Sequence, residues 1–458
     1  MADVKTTNPY NQEVLNTFYY ISNETLEARI DDSHQAFLNW RETSLDRRAQ
    51  LLNAAAKVLL KNKRKFAEHI TQEMGKPISE SVSEIEKCAW VCEFYAKRGA
   101  GFLAPKKIET DAESSCVRFD PIGAVLAVMP WNYPFWQVFR FAAPTLMAGN
   151  VGVLKHASNV LQCSQDIEDV FTAAGFPAGV FQSLVISHEQ VNQVIKNPHI
   201  KAVTLTGSEK AGSAVAAAAG EHIKSSLLEL GGSNAFVVLN DADIPSAAAL
   251  AAKARFQNTG QSCIAAKRFI IEATVFDEFK GHFLTQVKNL NSGNPMDEDT
   301  KIGPMARVDL AEELNEQLQQ AIVAGAKVEL GGKHKGAQFE PTVVTNVSAS
   351  MRIMQEETFG PLAPLMAVAS REEALAIAAD TPFGLGMTVC TQDIDFIERN
   401  IADIKDGAVF VNEMVKSDPR LPFGGTGISG YGRELAEQGI KAFVNEKTVY
   451  IKTRQHTK

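Results

Sequence analysis

Three side chains in this sequence are of the types that make and break bonds at a carbonyl carbon: Cys263, Glu229 and Asn132. Cys263 closes the polar turn Asn258-Thr259-Gly260-Gln261-Ser262 and precedes Ile264-Ala265-Ala266-Lys267-Arg268. That pattern predicts a cysteine at the start of a helix, where the dipole and the basic neighbours favour the thiolate, the reactive form. Glu229 lies in Leu228-Glu229-Leu230-Gly231-Gly232. Desolvation between leucines raises a carboxylate's proton affinity toward that of a useful general base, and the glycines let backbone approach a ligand. Asn132, in Met129-Pro130-Trp131-Asn132-Tyr133-Pro134, offers an amide N–H to an oxyanion. Each alone also has an ordinary explanation: an inert buried thiol, a salt-bridged strand-end carboxylate, a turn asparagine between prolines.

A second group of residues has the chemistry of phosphate and ribose binding. Leu205-Thr206-Gly207-Ser208-Glu209-Lys210-Ala211-Gly212 runs from an apolar strand through a glycine turn into an alanine-rich helix. Free N–H groups at such a helix start, with the Ser208 hydroxyl, can hold a pyrophosphate. The spacing is not the Gly-x-Gly-x-x-Gly pattern, and plain strand-to-helix punctuation reads the same way. Lys155 follows the apolar run Val151–Leu154 and can bind a ribose hydroxyl or a phosphate, and Glu356-Glu357-Thr358-Phe359-Gly360-Pro361 is a further candidate; surface solvation is the alternative for both.

These residues need elements to hold them. The first hundred residues read as long helices, Asp46–Lys61 and Lys65–Ala100, the latter broken at Gly75-Lys76-Pro77. From Pro121 the texture becomes short apolar runs, Ala124–Met129, Val151–Leu154, Val180–Val185 and Ala202–Leu205, alternating with helices Phe135–Met147 and Val160–Ala174. Such alternation predicts an α/β fold with a parallel sheet covered on both faces, ligands binding at the strands' carboxyl ends. A second α/β unit is expected from Ala235–Leu239 through Arg268–Ile271 to Phe410–Asn412. The tail Lys447–Lys452 alternates like an edge strand, and the hazard of a lone edge predicts pairing with another subunit.

Composition narrows the class. The chain has 458 residues, 45% hydrophobic and 22% charged, enough for two or three domains with large cores. A formal net charge of −8 argues against a nucleic-acid partner. The six cysteines form neither a CxxC pair nor a metal-ligand set, so no metal site is expected and a reducing compartment suits them. Neither a leader sequence nor a membrane span is read, which makes the cytoplasm the expected location.

Taken together and in order, Pro-Trp-Asn-Tyr-Pro, Glu-Leu-Gly-Gly, Gly-Gln-Ser-Cys, Glu-Glu-Thr-Phe-Gly-Pro and Pro422-Phe423-Gly424-Gly425 resemble the aldehyde dehydrogenase superfamily over essentially the whole chain. The resemblance implies a Rossmann-type NAD(P)-binding domain (residues 1–103 and 121–231), an α/β catalytic domain (232–431) and oligomerisation elements (104–120 and 440–458) of a homodimer or homotetramer. It implies Cys263 as nucleophile, Glu229 as base, and Asn132 with the Cys263 backbone N–H as oxyanion hole. Pro130, Trp131, Lys155, Ser158, Gly207, Ser208, Leu230 and Glu357 fall at its cofactor positions. Coenzyme A-acylating relatives usually lack the glutamate, so hydrolysis to a free acid is expected.

The chain is similar in particular to the short bacterial succinate-semialdehyde dehydrogenases, through Trp136–Arg140, Leu154–Ala157, Gln257–Cys263 and Ala265–Ile271. That likeness implies Arg140, Gln257 and Ser417 at the substrate, with Arg140 gripping a distal carboxylate; a structural salt bridge is the alternative for Arg140. Some enzymes of this activity have a second arginine where Gln257 stands, and Arg420 is a weaker candidate for a second charge. NAD-preferring members often carry glutamate three residues after the lysine; Ser158 stands there, so use of NADP, or of NADP and NAD alike, is expected. The rival readings are a dehydrogenase of uncharged, aromatic or glutarate-semialdehyde substrates, and a non-catalytic structural relative.

Overall fold

The computed structural model describes residues 3–452, so the expected ranges that begin at residue 1 or run to 458 reach outside the described residues at those ends. The chain opens not on helix but on an antiparallel hairpin, Asp3–Thr7 with Val14–Tyr19. Helices follow at Asn23–Trp40, Leu45–Lys61, Lys63–Met74 and Ile78–Phe102. Ser22 and Ser44 start the first two by accepting the N–H of Thr25 and Arg47 at 3.1 and 3.2 Å. The predicted break falls at Gly75, a left-handed cap with φ 82°, and Pro77 begins the next helix.

Two sheets carry the rest. In the first, strands run in the order Gly430–Tyr431, Ser225–Glu229, Ile200–Thr206, Ala124–Met129, Val151–His156, Phe181–Ser183; all neighbours are parallel except the first pair. The chain builds outward from Ala124–Met129 on one side, then returns to build on the other. Its switch point therefore opens between the carboxyl ends of Ala124–Met129 and Ile200–Thr206, where a crevice forms. Pro130 and Gly207 stand at those ends.

The second sheet has the order Lys327–Leu330, Thr342–Thr345, Leu362–Val368, Ala266–Glu272, Asn234–Val238, Met387–Cys390, Val409–Val411, parallel apart from its first strand. Phe236 and Val238 pack into one apolar cluster and Ala235 and Val237 into another, so both faces are buried. The α/β reading of the sequence is what the chain adopts.

The tail strand Val444–Ile451 pairs antiparallel with Ser114–Pro121 of its own chain, and Lys106–Lys107 completes a three-stranded sheet. The expected partner in another subunit is thus replaced on one side by an internal partner, and the other side remains an edge. No described helix is long and apolar enough to cross a membrane.

Candidate active site

Cys263 does not begin a helix. It sits in a turn that feeds directly into the central strand Ala266–Glu272, so it has no helix of its own to supply a dipole. Ala266 and Lys267, part of what suggested helix, belong to a strand whose Phe269, Ile270 and Ile271 are fully buried, and burial overrides local propensity. Desolvation accordingly raises the thiol to about 11, with Arg140 and Lys267 pulling the other way. The resting group is a thiol, and a base must take its proton.

The turn itself is held in an uncommon shape. Asn258, Thr259 and Gly260 have φ of 55°, 53° and 73°. Two consecutive non-glycine residues at positive φ persist only where the surroundings over-determine them. Glu80 Oε2 accepts the Asn258 N–H at 2.7 Å. Asn258 Nδ2 donates to the carbonyls of Asn132 and Gln261, both at 2.9 Å. Gln261 Oε1 accepts the Ala306 N–H at 2.9 Å. A side chain at Gly260 would run into the backbone of Gly360, which packs the Glu-Glu-Thr-Phe-Gly-Pro segment against the cysteine turn.

Asn132 closes this lattice: its Nδ2 donates to Gln261 O at 3.1 Å, leaving a second N–H for a ligand. Glu229 ends the strand Ser225–Glu229 and is buried. Burial pushes its carboxyl well above the usual range, Glu434 adds to the rise, and Arg140 and Arg433 oppose it. Its Oε1 has no hydrogen-bond partner, and the glutamate lies within electrostatic reach of Cys263.

A cleft of about 710 Å³ opens at the switch point, within the range of cofactor-sized sites, about 300–1,000 Å³. Pro130, Trp131, Lys155, Ser158, Gly207, Ser208, Leu230 and Glu357 all line it, as do Asn132 and Cys263. Ser208 caps the helix Glu209–Glu221 by accepting the Ala211 N–H at 3.3 Å, so the N-terminus of that helix faces the cleft. The Lys155 ammonium is largely buried with no anionic partner among the described residues, and desolvation lowers its pKa. Next to it, His156 Nε2 donates to the Pro134 carbonyl at 2.9 Å while Nδ1 accepts from Ala157 N–H at 2.9 Å. Burial holds that imidazole down to about 4, so it is a neutral brace fixing the strand end. Glu357 Oε1 is held by the Lys267 ammonium and by Gly232 N–H at 3.1 Å. Gly231 leaves room for its other oxygen, because a Cβ there would overlap it. An unpaired ammonium, a helix N-terminus and an open carboxylate oxygen suit the phosphates and ribose hydroxyls of a dinucleotide.

Cys263 also lines a second, smaller cavity of about 150 Å³ with Arg140, Gln257 and Ser417. Arg140 is 1% exposed, and its Nε is ion-paired with Glu434. The guanidinium lies 4.7 Å from the centre of the Phe423 ring. The salt-bridge reading of Arg140 and its place in the cavity wall therefore hold together. Arg420 is a correction: it pairs with Asp418 at 2.6 Å, stacks near Trp90, and is absent from the cavity wall. Two further cations line it, both missed by the sequence reading: Lys416, paired with Glu413 at 2.9 Å, and Lys87. Lys87 lies on the helix Ile78–Phe102, which lines the cavity with Glu80, Ser83, Glu84 and Lys87, spaced three, four and seven from the first, one helical face. That polar stripe was the available signal. Lys267, read in the sequence only as a basic neighbour of the cysteine, also clamps Glu357 to the cysteine turn through the Cys263 carbonyl at 3.1 Å.

Residues 2–449 match the sequence profile described as aldehyde dehydrogenase family. The chain belongs to that family. It is, accordingly, an NAD(P)-dependent oxidoreductase of aldehydes. Among members, it is 46% identical to a Synechocystis sp. protein described as a probable succinate-semialdehyde dehydrogenase. That match covers 98% of this chain and 99% of the other, and the description specifies NADP(+). A Mycobacterium tuberculosis succinate-semialdehyde dehydrogenase, also described with NADP(+), is 44% identical over 98% of this chain and 99% of its own. Of solved structures, succinic semialdehyde dehydrogenase from Streptococcus pyogenes, in complex with NADP+ as the cofactor, superposes with a TM-score of 0.95 at 36% identity. The match covers 98% of this chain and 100% of that one.

Proposed function

We propose that the protein oxidises succinate semialdehyde to succinate, taking NADP in the large cleft and admitting NAD. The observation that carries this is the place of Cys263, on the shared wall of a dinucleotide-sized cleft and a small cavity with basic walls. The small cavity matches voids of about 150 Å³ that admit a benzene-sized molecule, the scale of a four-carbon aldehyde. The relatives described as succinate-semialdehyde dehydrogenases with NADP(+) support the substrate and the cofactor.

In this reading Glu229 accepts the Cys263 proton and the sulfur adds to the aldehyde carbon, forming a C–S bond. The carbonyl oxygen becomes the oxyanion that the spare N–H of Asn132 receives. A bound nicotinamide ring supplies the hydride acceptor that takes the product to the thioester level. Glu229 gives the proton it took from Cys263 to solvent and then removes one from water as the water oxygen bonds to the acyl carbon; the C–S bond breaks and that proton passes to the departing sulfur, restoring the cysteine. Lys155, Ser158, Gly207, Ser208 and Glu357 hold the dinucleotide, with Pro130, Trp131 and Leu230 shaping the cleft. Gln257 and Ser417 line the aldehyde's path.

The division into a cofactor domain (1–103 and 121–231), a catalytic domain (232–431) and oligomerisation elements (104–120 and 440–458) belongs to the same proposal. So does assembly as a homodimer or homotetramer, supported by the free edge of Val444–Ile451, where Tyr450 and Ile451 are exposed. A cytoplasmic setting is supported by the six free thiols.

Steady-state kinetics with succinate semialdehyde and butyraldehyde test the substrate reading. The expected result is a preference of about a hundredfold in kcat/KM for the carboxylated aldehyde, the scale of a charge-assisted contact. Equal rates overturn it and favour a broad aldehyde dehydrogenase. For the cofactor, Ser158→Glu is expected to lower kcat/KM for NADP by about a hundredfold or more while NAD is much less affected, because a carboxylate repels the 2′-phosphate. Parallel loss with both cofactors would show that Ser158 does not face that phosphate.

A further inference from the structure

Two cavities meet at Cys263, and one other described residue stands where they meet. Of the side chains that line the dinucleotide-sized cleft and those that line the small cavity, Cys263 and Gln137 belong to both sets. Gln137 lies on the helix Pro134–Ala148, five residues after Asn132. Its backbone is fixed at the first turn. The Gln137 N–H donates to the Tyr133 carbonyl at 3.1 Å, and Glu84 Oε1 accepts the N–H groups of Phe135 and Trp136 at 2.9 Å each.

That helix is buried along its whole length, and Gln137 stands in it among Phe135, Trp136, Val138 and Phe139. The glutamine is 2% exposed, and its Oε1 has no hydrogen-bond partner. Leaving a buried amide oxygen unpaired costs stability, so an acceptor left open in a cavity wall is suited to a donor that enters with the reaction. The chemistry of that donor follows from what reaches the junction. The aldehyde and the thioester made from it offer an acceptor oxygen at the reacting carbon, and no O–H or N–H. A water molecule offers two O–H groups. Glu229 takes one of these protons, and the other O–H needs an acceptor of its own if the oxygen lone pair is to face the acyl carbon on Sγ.

We propose that Gln137 Oε1 holds the hydrolytic water at the acyl carbon, as the second acceptor beside the Glu229 carboxylate. This rests on the thioester route above and adds the group that aims the nucleophile. The water oxygen bonds to the acyl carbon while one of its protons goes to Glu229 and on to the sulfur as the C–S bond breaks. The other proton stays on the oxygen, hydrogen-bonded to Gln137, and leaves with the carboxylic acid.

The test is a single turnover with enzyme in excess over aldehyde, in wild type, Gln137→Met and Glu229→Gln. Methionine is close to glutamine in length and volume and lacks the amide. Reduced dinucleotide reports thioester formation, and succinate in acid-quenched samples reports hydrolysis. In Gln137→Met the first phase is expected to keep its rate and hydrolysis to slow about tenfold, the worth of one hydrogen bond, with the succinyl group found by mass on the quenched protein. Butyraldehyde should show the same delay, since the water meets the acyl carbon and not the far end, so the result stands apart from the choice of substrate. A misfolded fraction alters neither rate, because each phase is first-order in the loaded enzyme. If Glu229→Gln delays hydrolysis and Gln137→Met does not, the assignment to Gln137 is wrong and the thioester route survives. Equal slowing of both phases in Gln137→Met also overturns it, since the side chain then shapes the junction as a whole. So does a weaker dinucleotide Kd with hydrolysis untouched, which would give Oε1 to the cofactor. If neither variant delays hydrolysis, the route above and this proposal fail together.

Discussion

Replacing Cys263 by serine should reduce turnover by roughly 10⁴- to 10⁶-fold, the scale seen when a covalent nucleophile is removed from its surrounding machinery. The change is a single atom, but the hydroxyl is a far poorer nucleophile near neutral pH and its ester a more sluggish leaving group. The surroundings do not soften this. The cysteine turn ends in a strand, not a helix, and burial lifts even the native thiol to about 11. At pH 7 only about one thiol in 10⁴ is therefore ionised before a base acts. Two measurements accompany the rate. Dinucleotide titration by fluorescence should give a nearly unchanged Kd, because Cys263 is one wall residue of the cleft and the groups suited to phosphate and ribose, Lys155, Ser208 and Glu357, stay in place. Alkylation of the wild-type thiol should quicken about tenfold per pH unit between pH 7 and 10, following the thiolate fraction. Fast, pH-independent labelling at pH 7 would mean that the thiolate is already formed and that burial does not govern this thiol.

That turn marks where sequence stops being enough. The strands Ala124–Met129 and Val151–His156 were legible because they are short apolar runs bounded by Pro130 and by the polar stretch after His156, and the residues at their ends fall into one cleft. The helices of the first hundred residues were legible from spacing and serine caps. The N-terminal hairpin was not: Asp3–Thr7 and Val14–Tyr19 are polar and mostly exposed, with little alternation to read. Ala265-Ala266-Lys267 looks helical locally, yet the strand begins at Ala266 because Phe269 to Ile271 occupy the middle of a sheet. The two contacts that decide the small cavity join residues far apart in the chain. Arg140 meets Glu434, and Lys87 meets Ser417 across 330 positions. No local pattern encodes such a pairing. A motif can nominate Arg140 for a carboxylate, but only the fold shows that a carboxylate of the protein already holds it.

Glu229→Gln should cost roughly 10²- to 10⁴-fold in turnover, the usual worth of a general base. Glutamine keeps the size and one oxygen of the side chain and removes only the ability to take a proton. The glutamate's surroundings prepare it to act as that base. Burial, then Glu434, raise its carboxyl well above the ordinary range, while Arg140 and Arg433 keep the ionised form within reach. In wild type the rate should therefore climb with pH as Glu229 loses its proton, at a pH higher than an exposed glutamate would need, and then level. In the variant that limb should vanish, leaving a lower rate that keeps rising with pH through the Cys263 thiol at about 11 and through hydroxide attack on the acyl group. Rapid mixing separates the two steps the base serves. A fast first turnover of reduced dinucleotide followed by a stall places Glu229 at thioester hydrolysis. A slow first turnover that recovers at high pH places it at the thiol proton as well. A variant with wild-type turnover and an unchanged acid limb would remove Glu229 from the chemistry and leave its burial beside Glu434 as a feature of packing alone.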